Sequence, residues 1–425
     1  MQNFACLLRP KAAAITAIVL VVLALGVGVH THGSLASAWK MLQIPANTPL
    51  FADTRGITHA IDCVLHGQDP YKVSAFDPWH RLYNYPPVWL MARHLGVTSR
   101  SSNLVGLLFA IAAISAYIFL LNARTWLTQV IVFLAIASHC VLFSIERGNS
   151  DELVFFLLVS GFFLAWRLRP PLRSRVVSAV IVLLTVLKVY PIAASTVFLH
   201  RRQGWKRMLT TMLLAAAALL LTSGSRLLQV FANTPRDTDT SFGTFPFFYA
   251  LSRHTVHSLA PLVLDHRLAS PLGALLLGIL GMVMGMRAGN TLGRFLPPLD
   301  PTRARGAIAT ACLSIFCFAF MAGASFDYRL IYLTGALAWL VDDLDRSATK
   351  RALPAALLIL VLLWKPFWLS FTGELVDGAV FLMSMAWLGN ALFSVHPVIK
   401  QQRSGLETQT TPRSRSSSVA SLTGS

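Results

Sequence analysis

Long hydrophobic runs separated by short polar turns dominate the pattern of this chain. The runs cover residues 12–29, 103–121, 126–144, 153–166, 208–222, 269–286, 307–323, 330–341, 353–370 and 376–395. A helix needs about 17–25 apolar residues to cross the roughly 30 Å of hydrocarbon in a bilayer, and several runs reach that length. None shows the alternating polarity of a membrane β-strand. The pattern therefore predicts an all-α polytopic membrane protein with about ten full transmembrane helices.

One further run, residues 176–200, does not fit a single span because basic residues flank both of its ends. Arg175 precedes it and Arg201 follows it. Its middle reads Lys188-Val189-Tyr190-Pro191, and proline disrupts a continuing helix. We expect a broken pair of half-span helices that meet near Lys188, inside the protein, where irregular backbone is tolerated. The alternative is one continuous helix followed by an outer basic loop.

Polar residues concentrate in the first outer loop, residues 30–102, whose stretch 51–89 is rich in polar and aromatic side chains. We expect residues 1–399 to form one transmembrane domain that includes this loop. Residues 400–425 are rich in Ser, Thr and Arg and contain few apolar side chains. Because such a segment buries too little apolar surface to fold, we expect a disordered cytoplasmic tail.

Composition and charge agree with a membrane location. Hydrophobic residues make up 55% of the chain and charged residues only 13%, whereas soluble proteins carry about a quarter charged residues. The expected inner segments hold 22 of the 36 Lys and Arg residues, and the outer segments hold 13 of the 18 Asp and Glu residues. This positive-inside bias places both termini in the cytoplasm of a multi-pass protein of the cell inner membrane or plasma membrane. We expect no nucleic-acid partner, because the basic residues are spread over several short turns.

Every unusual polar cluster falls on the outer side of this topology. The clusters contain Asp53, the string 83–87, the turn 146–152, Lys188, the turn 327–329, and Glu374 with Asp377. Ionisable groups near apolar spans are costly, so their convergence on one side suggests a site at the outer face. The alternative is a set of solvated loop residues, and this is what we expect for Glu374 and Asp377.

Asp53 is the candidate general base. A carboxylate can take the proton from an attacking hydroxyl that lies within hydrogen-bond reach, and neighbouring groups can tune its pKa. The alternative for an aspartate at the start of a loop is a turn or helix-capping role.

Arg147, Arg329 and Lys188 are cations near the outer ends of different spans. They suit an anionic phosphate, since arginine offers a planar fork of donors and lysine a compact charge. The alternative for each arginine is an ion pair with a neighbouring carboxylate, such as Glu146 or Asp327. Lys188 has no acid in its own segment, which favours a ligand-binding role.

Several familiar chemistries lack their sequence basis. The chain contains no GxxxxGK[ST] phosphate loop, no HExxH motif and no Gly-x-Ser-x-Gly elbow, which argues against nucleotide, zinc and serine hydrolases. Almost no carboxylate lies in the middle of a span, which disfavours proton-coupled transport. A transporter or flippase for lipid-linked or small polar cargo remains the alternative to an enzyme.

Short motifs follow one another in order on the outer side: Asp53, Gly67-Gln68-Asp69-Pro70-Tyr71, Tyr85-Pro86-Pro87, Glu146-Arg147-Gly148-Asn149, Leu187-Lys188-Val189-Tyr190-Pro191 and Asp327-Tyr328-Arg329. Through these motifs the chain resembles the GT-C superfamily of membrane glycosyltransferases. The resemblance is strongest to glycosyltransferase family 87, the polyprenol-phosphate-mannose-dependent alpha-1,2-mannosyltransferase-like proteins. It covers about residues 50–330.

The resemblance implies a GT-C-like helical bundle that transfers a hexose, such as mannose, from a polyprenyl-phosphate donor to a lipid or glycan acceptor with inversion. In such an enzyme Asp53 would be the general base, and Lys188, Arg147 and Arg329 would bind the donor phosphate. The substrate-binding residues would be Arg55, Tyr85, Asn149, Asp151, Tyr190 and Asp327. Because no paired DxD motif surrounds Asp53, we expect no metal, and we expect no cofactor.

Overall fold

The computed structural model describes residues 9–200, 204–235, 240–255, 269–288, 291, 293–367 and 371–409. In chain order its α-helices are α1 (Ala12–His32), α2 (Leu35–Met41), α3 (Ala52–Leu65), α4 (Ser102–Leu120), α5 (Trp126–Ile136), α6 (His139–Arg147), α7 (Ser150–Trp166), α8 (Pro170–Leu187), α9 (Gly204–Ser223), α10 (Arg226–Asn233), α11 (Thr244–Thr255), α12 (Ala269–Arg287), α13 (Ala304–Met321), α14 (Leu333–Arg346), α15 (Leu353–Leu363) and α16 (Phe371–Gln409). Short 3-10 helices cover Arg9–Lys11, Pro87–Leu95, Ser99–Ser101, Tyr190–Phe198 and Asp327–Tyr332. Strands β1 (Ser241–Phe242) and β2 (Ser325–Phe326) form an antiparallel pair in which Ser241 faces Phe326.

Seven helical segments among the described residues are long and apolar enough to cross a membrane. They are Ala12–His32, Ser99–Leu120, Trp126–Arg147, Pro170–Leu187, Gly204–Ser223, Ala304–Met321 and Phe371–Ala391. The predicted all-α, multi-pass membrane class is therefore confirmed, but the count of ten is not.

Four of the predicted spans are not among these seven segments. One of them, the run 269–286, belongs to α12, whose apolar part is the shorter stretch Leu275–Arg287. The run 153–166 belongs to α7, which has 17 residues and begins with two carboxylates. The run 330–341 is divided between the 3-10 helix Asp327–Tyr332 and α14. The run 353–370 contains the 11-residue helix α15, and residues 368–370 lie outside the described residues. Of these four runs, only the run 353–370 is longer than its helix, whereas α7 and α14 extend beyond their hydrophobic runs into polar residues.

The break at Lys188 is present, but its two arms are not both half-spans. The last helical hydrogen bond of α8 runs from Lys188 N to Leu184 O at 2.8 Å, and Lys188 itself is extended, with φ −151° and ψ 138°. The chain then continues as a 3-10 helix that has Pro191 in its first turn. A single continuous helix is therefore wrong for 176–200. The first arm, α8, has 18 residues and is one of the seven span-length segments.

Loops and helix ends separate into two opposite ends of the bundle. At one end Ala123 N donates to Pro10 O at 2.9 Å, which joins the link between α4 and α5 to the start of α1. At the same end Thr128 Oγ1 donates to Asp345 Oδ1 at 2.6 Å, which joins the start of α5 to the end of α14. We call this the Asp345 end. The opposite end contains the start of α3, the turn between α6 and α7, and the break after α8, and we call it the Asp53 end.

The last helix, α16, continues to Gln409 and so extends into the segment predicted to be disordered. Residues 410–425 of that tail lie outside the described residues.

Glycines allow α12 and α16 to pack with their backbones close together. A Cβ at Gly281 would lie 2.8 Å from Met385 Cβ, and one at Gly285 would lie 2.1 Å from the carbonyl oxygen of Ala386. Small residues at such positions are typical of helix pairs in membranes, where association depends on close van der Waals packing.

We predict that Gly285→Ala destabilises the protein by about 1–3 kcal/mol, because the added methyl group overlaps the backbone of α16. The matched control is Gly26→Ala in α1, where a Cβ would have no neighbour within 4 Å. Thermal unfolding of the detergent-solubilised full chain should show a lower midpoint for Gly285→Ala only. Equal midpoints for the two variants would contradict the close packing of α12 on α16.

Candidate functional site

Asp53 lies in the first turn of α3, where the backbone is anchored on both sides. Phe51 precedes the helix with a left-handed backbone (φ 59°), and its N–H donates to Glu146 O at 3.2 Å. Its carbonyl accepts from Arg55 N at 2.9 Å. A carboxylate in the first turn of a helix is stabilised by the positive end of the helix dipole. The Asp53 side chain is 13% exposed.

Gly148 brings the turn between α6 and α7 against α3. It has φ 54°, and a Cβ there would lie 2.7 Å from Thr54 Oγ1 and 2.9 Å from Phe51 Cδ1. Thr54 Oγ1 donates to the carbonyl oxygen of Gly148 across this contact. The next residue, Asn149, therefore faces Asp53, and its Nδ2 donates to Asp53 Oδ2.

The same amide connects Asp53 to a buried ion-pair cluster. Asn149 Oδ1 accepts from Lys188 Nζ at 3.2 Å, and Lys188 Nζ lies 3.0 Å from Asp151 Oδ2. Arg329 Nε is 3.6 Å from the same carboxylate oxygen. Asp151 is fully buried and Lys188 is 6% exposed. Because buried charges are costly unless they are paired, these groups stabilise one another.

Aromatic rings enclose the two cations of this cluster. Lys188 Nζ lies 5.0 Å from the centre of the Tyr85 ring and 6.0 Å from that of Tyr190. The guanidinium of Arg329 lies 5.2 Å from the Tyr190 ring and 5.7 Å from the Tyr328 ring. All four distances are within the range of a cation–π attraction. Burial raises the pKa of the Tyr85 hydroxyl well above its ordinary value, so that this hydroxyl stays neutral.

Arg81 is a member of the site that we did not predict from the sequence. Its Nη2 donates to Ala52 O at 2.7 Å and to Asp77 Oδ2 at 3.0 Å, and its Nη1 lies 3.8 Å from Asp53 Oδ1. Burial opposes the charge, but the hydrogen bond to Asp77 and the charge of Asp53 outweigh it and raise the pKa of Arg81. In the sequence, the only feature that could have indicated this role of Arg81 is the presence of Asp77 four residues before it.

A cavity of about 310 Å³ opens in front of Asp53. The lining consists of Asp53, Gly56, Arg81, Leu82, Tyr83, Asn84, Tyr85, Arg147, Pro235, Thr240, Phe326 and Tyr328. This volume is at the lower end of the range for small-molecule sites, about 300–1,000 Å³. The cavity combines one carboxylate, two guanidinium groups and several aromatic rings.

The structure brings most of the predicted site residues together. Asp53, Tyr85 and Arg147 line the cavity. Asn149 contacts Asp53, and Lys188 and Asp151 follow directly behind the amide. Arg329 and Tyr190 belong to the same cluster.

Arg55 and Asp327 have other partners. Arg55 donates to Leu50 O and to Asn103 Oδ1, both at 2.7 Å, and so connects the start of α3 to α4. Asp327 is fully buried and its Oδ1 lies 3.7 Å from Lys365 Nζ. Neither is among the residues that line the cavity in the described part of the chain.

Lys365 is the centre of a second buried cluster. Its Nζ lies 2.7 Å from Glu374 Oε1, 2.7 Å from Asp377 Oδ2 and 3.0 Å from Ser241 O. Burial alone would lower the pKa of Lys365, but Asp327, Asp377 and Glu374 outweigh it and hold this pKa well above its ordinary value. The expectation that Glu374 and Asp377 are solvated is wrong, because they are 1% and 0% exposed.

No family model, no curated protein and no solved structure matches the chain. Within the described ranges, no group of three or more His, Cys, Asp or Glu side chains is arranged to hold a metal ion.

We predict that Lys188→Met destabilises the protein by about 3–5 kcal/mol, because the buried Asp151 carboxylate loses its nearest cation. Lys72→Met, at an exposed position of the first outer loop, is the control and should have little effect. The measurement is the thermal unfolding midpoint of each full-length variant in detergent. A midpoint of Lys188→Met equal to that of Lys72→Met would rule out the ion pair.

Proposed function

We propose that the chain is a membrane glycosyltransferase that moves a hexose from a polyprenyl-phosphate donor to a lipid or glycan acceptor, with Asp53 as the general base. Mannose is the hexose that the sequence motifs favour. The observation that supports this most is the cavity in which Asp53 faces Arg81 and Arg147 between aromatic rings. A carboxylate can remove a proton from an attacking hydroxyl, and guanidinium groups can stabilise a leaving phosphate.

The proposed reaction is a single displacement. Asp53 accepts the proton of the acceptor hydroxyl while the hydroxyl oxygen bonds to the anomeric carbon. The bond between that carbon and the phosphate oxygen breaks on the opposite side, and the phosphate leaves with the electron pair. Asn149 donates to Oδ2 of Asp53, which fixes the orientation of the carboxylate. The configuration at the anomeric carbon is inverted.

The charges around the cavity favour an enzyme over a transporter. Glu146, Asp151 and Lys188 are buried at the Asp53 end, and Asn149 links Lys188 to Asp53. A transporter for polar cargo needs accessible polar groups near the middle of the membrane, where substrate sites of transporters form. The Lys365 cluster draws two carboxylates from the span-length segment Phe371–Ala391, but its charges are paired with one another and closed off from solvent. The charges that line or adjoin the cavity therefore fit a reaction at one membrane surface.

The bias of basic residues supports an orientation with the Asp345 end and both termini in the cytoplasm. In this orientation the cavity opens at the outer face of the cell inner membrane or plasma membrane. The donor would then reach the site from the surrounding lipid.

We predict that Asp53→Asn reduces transfer by about 10²- to 10⁴-fold, because an amide cannot accept the proton. The full-length protein is reconstituted in vesicles of a bacterial lipid extract that contain polyprenyl-phosphate mannose or polyprenyl-phosphate glucose. The measurement is the release of polyprenyl phosphate over time. Thermal unfolding confirms that the variant is folded.

The control is Asp62→Asn on the same helix, since asparagine keeps an oxygen that can accept from Ser99 N, the partner of Asp62. This variant should retain full transfer. Unchanged turnover by Asp53→Asn would rule out the general base. The absence of turnover by the unmodified protein, combined with movement of the intact donor across the vesicle membrane, would favour a flippase.

A further inference from the structure

Two guanidinium groups in the cavity have donors that no described residue uses. Arg81 is held by Ala52 and Asp77 through Nε and Nη2, while its Nη1 makes no hydrogen bond within the described chain and lies 3.8 Å from Asp53. For Arg147 the described residues offer an ion pair, in which Nε lies 3.5 Å from Glu146 Oε2, and the ring of Phe143, whose centre lies 4.8 Å from the guanidinium carbon. Nη1 of Arg81 and the two terminal nitrogens of Arg147 are therefore available to an anion that enters the cavity.

Lys188 and Arg329 are placed differently. The ammonium of Lys188 donates to Asn149 and Asp151 and lies against the ring of Tyr85, which itself lines the cavity. Arg329 lies against the same Asp151 and against the ring of Tyr328, another lining residue. A ligand in the cavity would meet these rings before it met either cation.

We propose that Arg81 and Arg147 bind a phosphate group in the cavity that Asp53 also lines, and that Lys188 and Arg329 are positioning residues behind this cavity. The proposal rests on the proposed function, and it gives Arg81 the phosphate contact that the sequence led us to expect of Lys188 and Arg329. The group that the two arginines bind is a phosphate, which could belong to a lipid or be free in solution.

The geometry around Arg81 explains why it suits this role. With Nε and Nη2 taken by Asp77 and Ala52, Nη1 is left to donate to one phosphate oxygen, and its N–H groups carry the positive charge of the guanidinium. Asp77 and the Ala52 carbonyl hold the guanidinium in place, so binding an anion costs little loss of side-chain freedom. A phosphate at Nη1 would replace the loose contact to Asp53 with a charged hydrogen bond.

The aromatic lining favours a phosphate attached to a larger group. The rings of Tyr85, Phe326 and Tyr328 lie beside the two arginines, and aromatic side chains readily pack against sugars and hydrocarbon. A free phosphate would use the arginines alone.

The experiment measures binding of farnesyl phosphate, farnesol and inorganic phosphate to the detergent-solubilised full chain by calorimetry, without any turnover. We expect Arg81→Gln and Arg147→Gln each to weaken farnesyl phosphate binding by about 10- to 100-fold, the range for a lost hydrogen bond to a charged group. Farnesol should bind weakly and equally to all variants. Competition by inorganic phosphate would identify a free-phosphate site, and failure to compete would identify a lipid phosphate.

The control is Arg93→Gln, at an exposed position of the 3-10 helix Pro87–Leu95, which should bind as the unmodified protein does. If Arg81→Gln fails to fold by thermal unfolding, Arg147→Gln decides the outcome. Farnesyl phosphate binding that is the same in the unmodified protein and in the folded variants would overturn the phosphate site. Binding that depends on the two arginines, without transfer from any donor, would leave the site standing and exclude the glycosyltransferase.

Discussion

The amide of Asn149 is the contact on which the arrangement of the cavity depends. It donates to Asp53 on one side and accepts from Lys188 on the other, so a neutral group joins a carboxylate at the cavity to a buried ion pair. Two backbone features hold it there. Gly148 in a left-handed conformation lets the turn approach α3, and the end of α8 at Leu187 places Lys188 beside it. Each partner thereby satisfies a polar group that would be costly to bury alone.

The sequence allowed much of this end of the bundle to be predicted, because polar residues stand out among apolar runs. Asp53, Arg147, Asn149 and Lys188 each interrupt or border a hydrophobic run, and their common side follows from counting spans. The break near Lys188 was also predictable, since Pro191 cannot continue a helix. Their contacts with one another were not specified by any local pattern.

The roles of Arg81 and Lys365 could not be predicted, because they depend on tertiary contacts that no local sequence pattern shows. Arg81 lies in a loop where charged residues are ordinary, and only the approach of α3 gives it Asp53 as a neighbour. Lys365 lies inside a hydrophobic run that looks like a span, yet α15 ends at Leu363 and the lysine becomes the partner of Glu374 and Asp377. In both cases the environment depends on elements distant in the chain, namely α3 for Arg81, and Asp327 and Ser241 for Lys365.

The 3-10 helix Asp327–Tyr332 connects the two buried clusters to the cavity. Asp327 belongs to the Lys365 cluster, Arg329 belongs to the Asp151 cluster, and Tyr328 between them lines the cavity. Both ion networks therefore hold this wall in place. The facing wall, residues 81–85, is part of a loop and is tied to α3 through Arg81. Since Asp77 and the Ala52 carbonyl also hold the Arg81 guanidinium, both walls are fixed by charged contacts, and a ligand would meet a cavity that is largely formed beforehand.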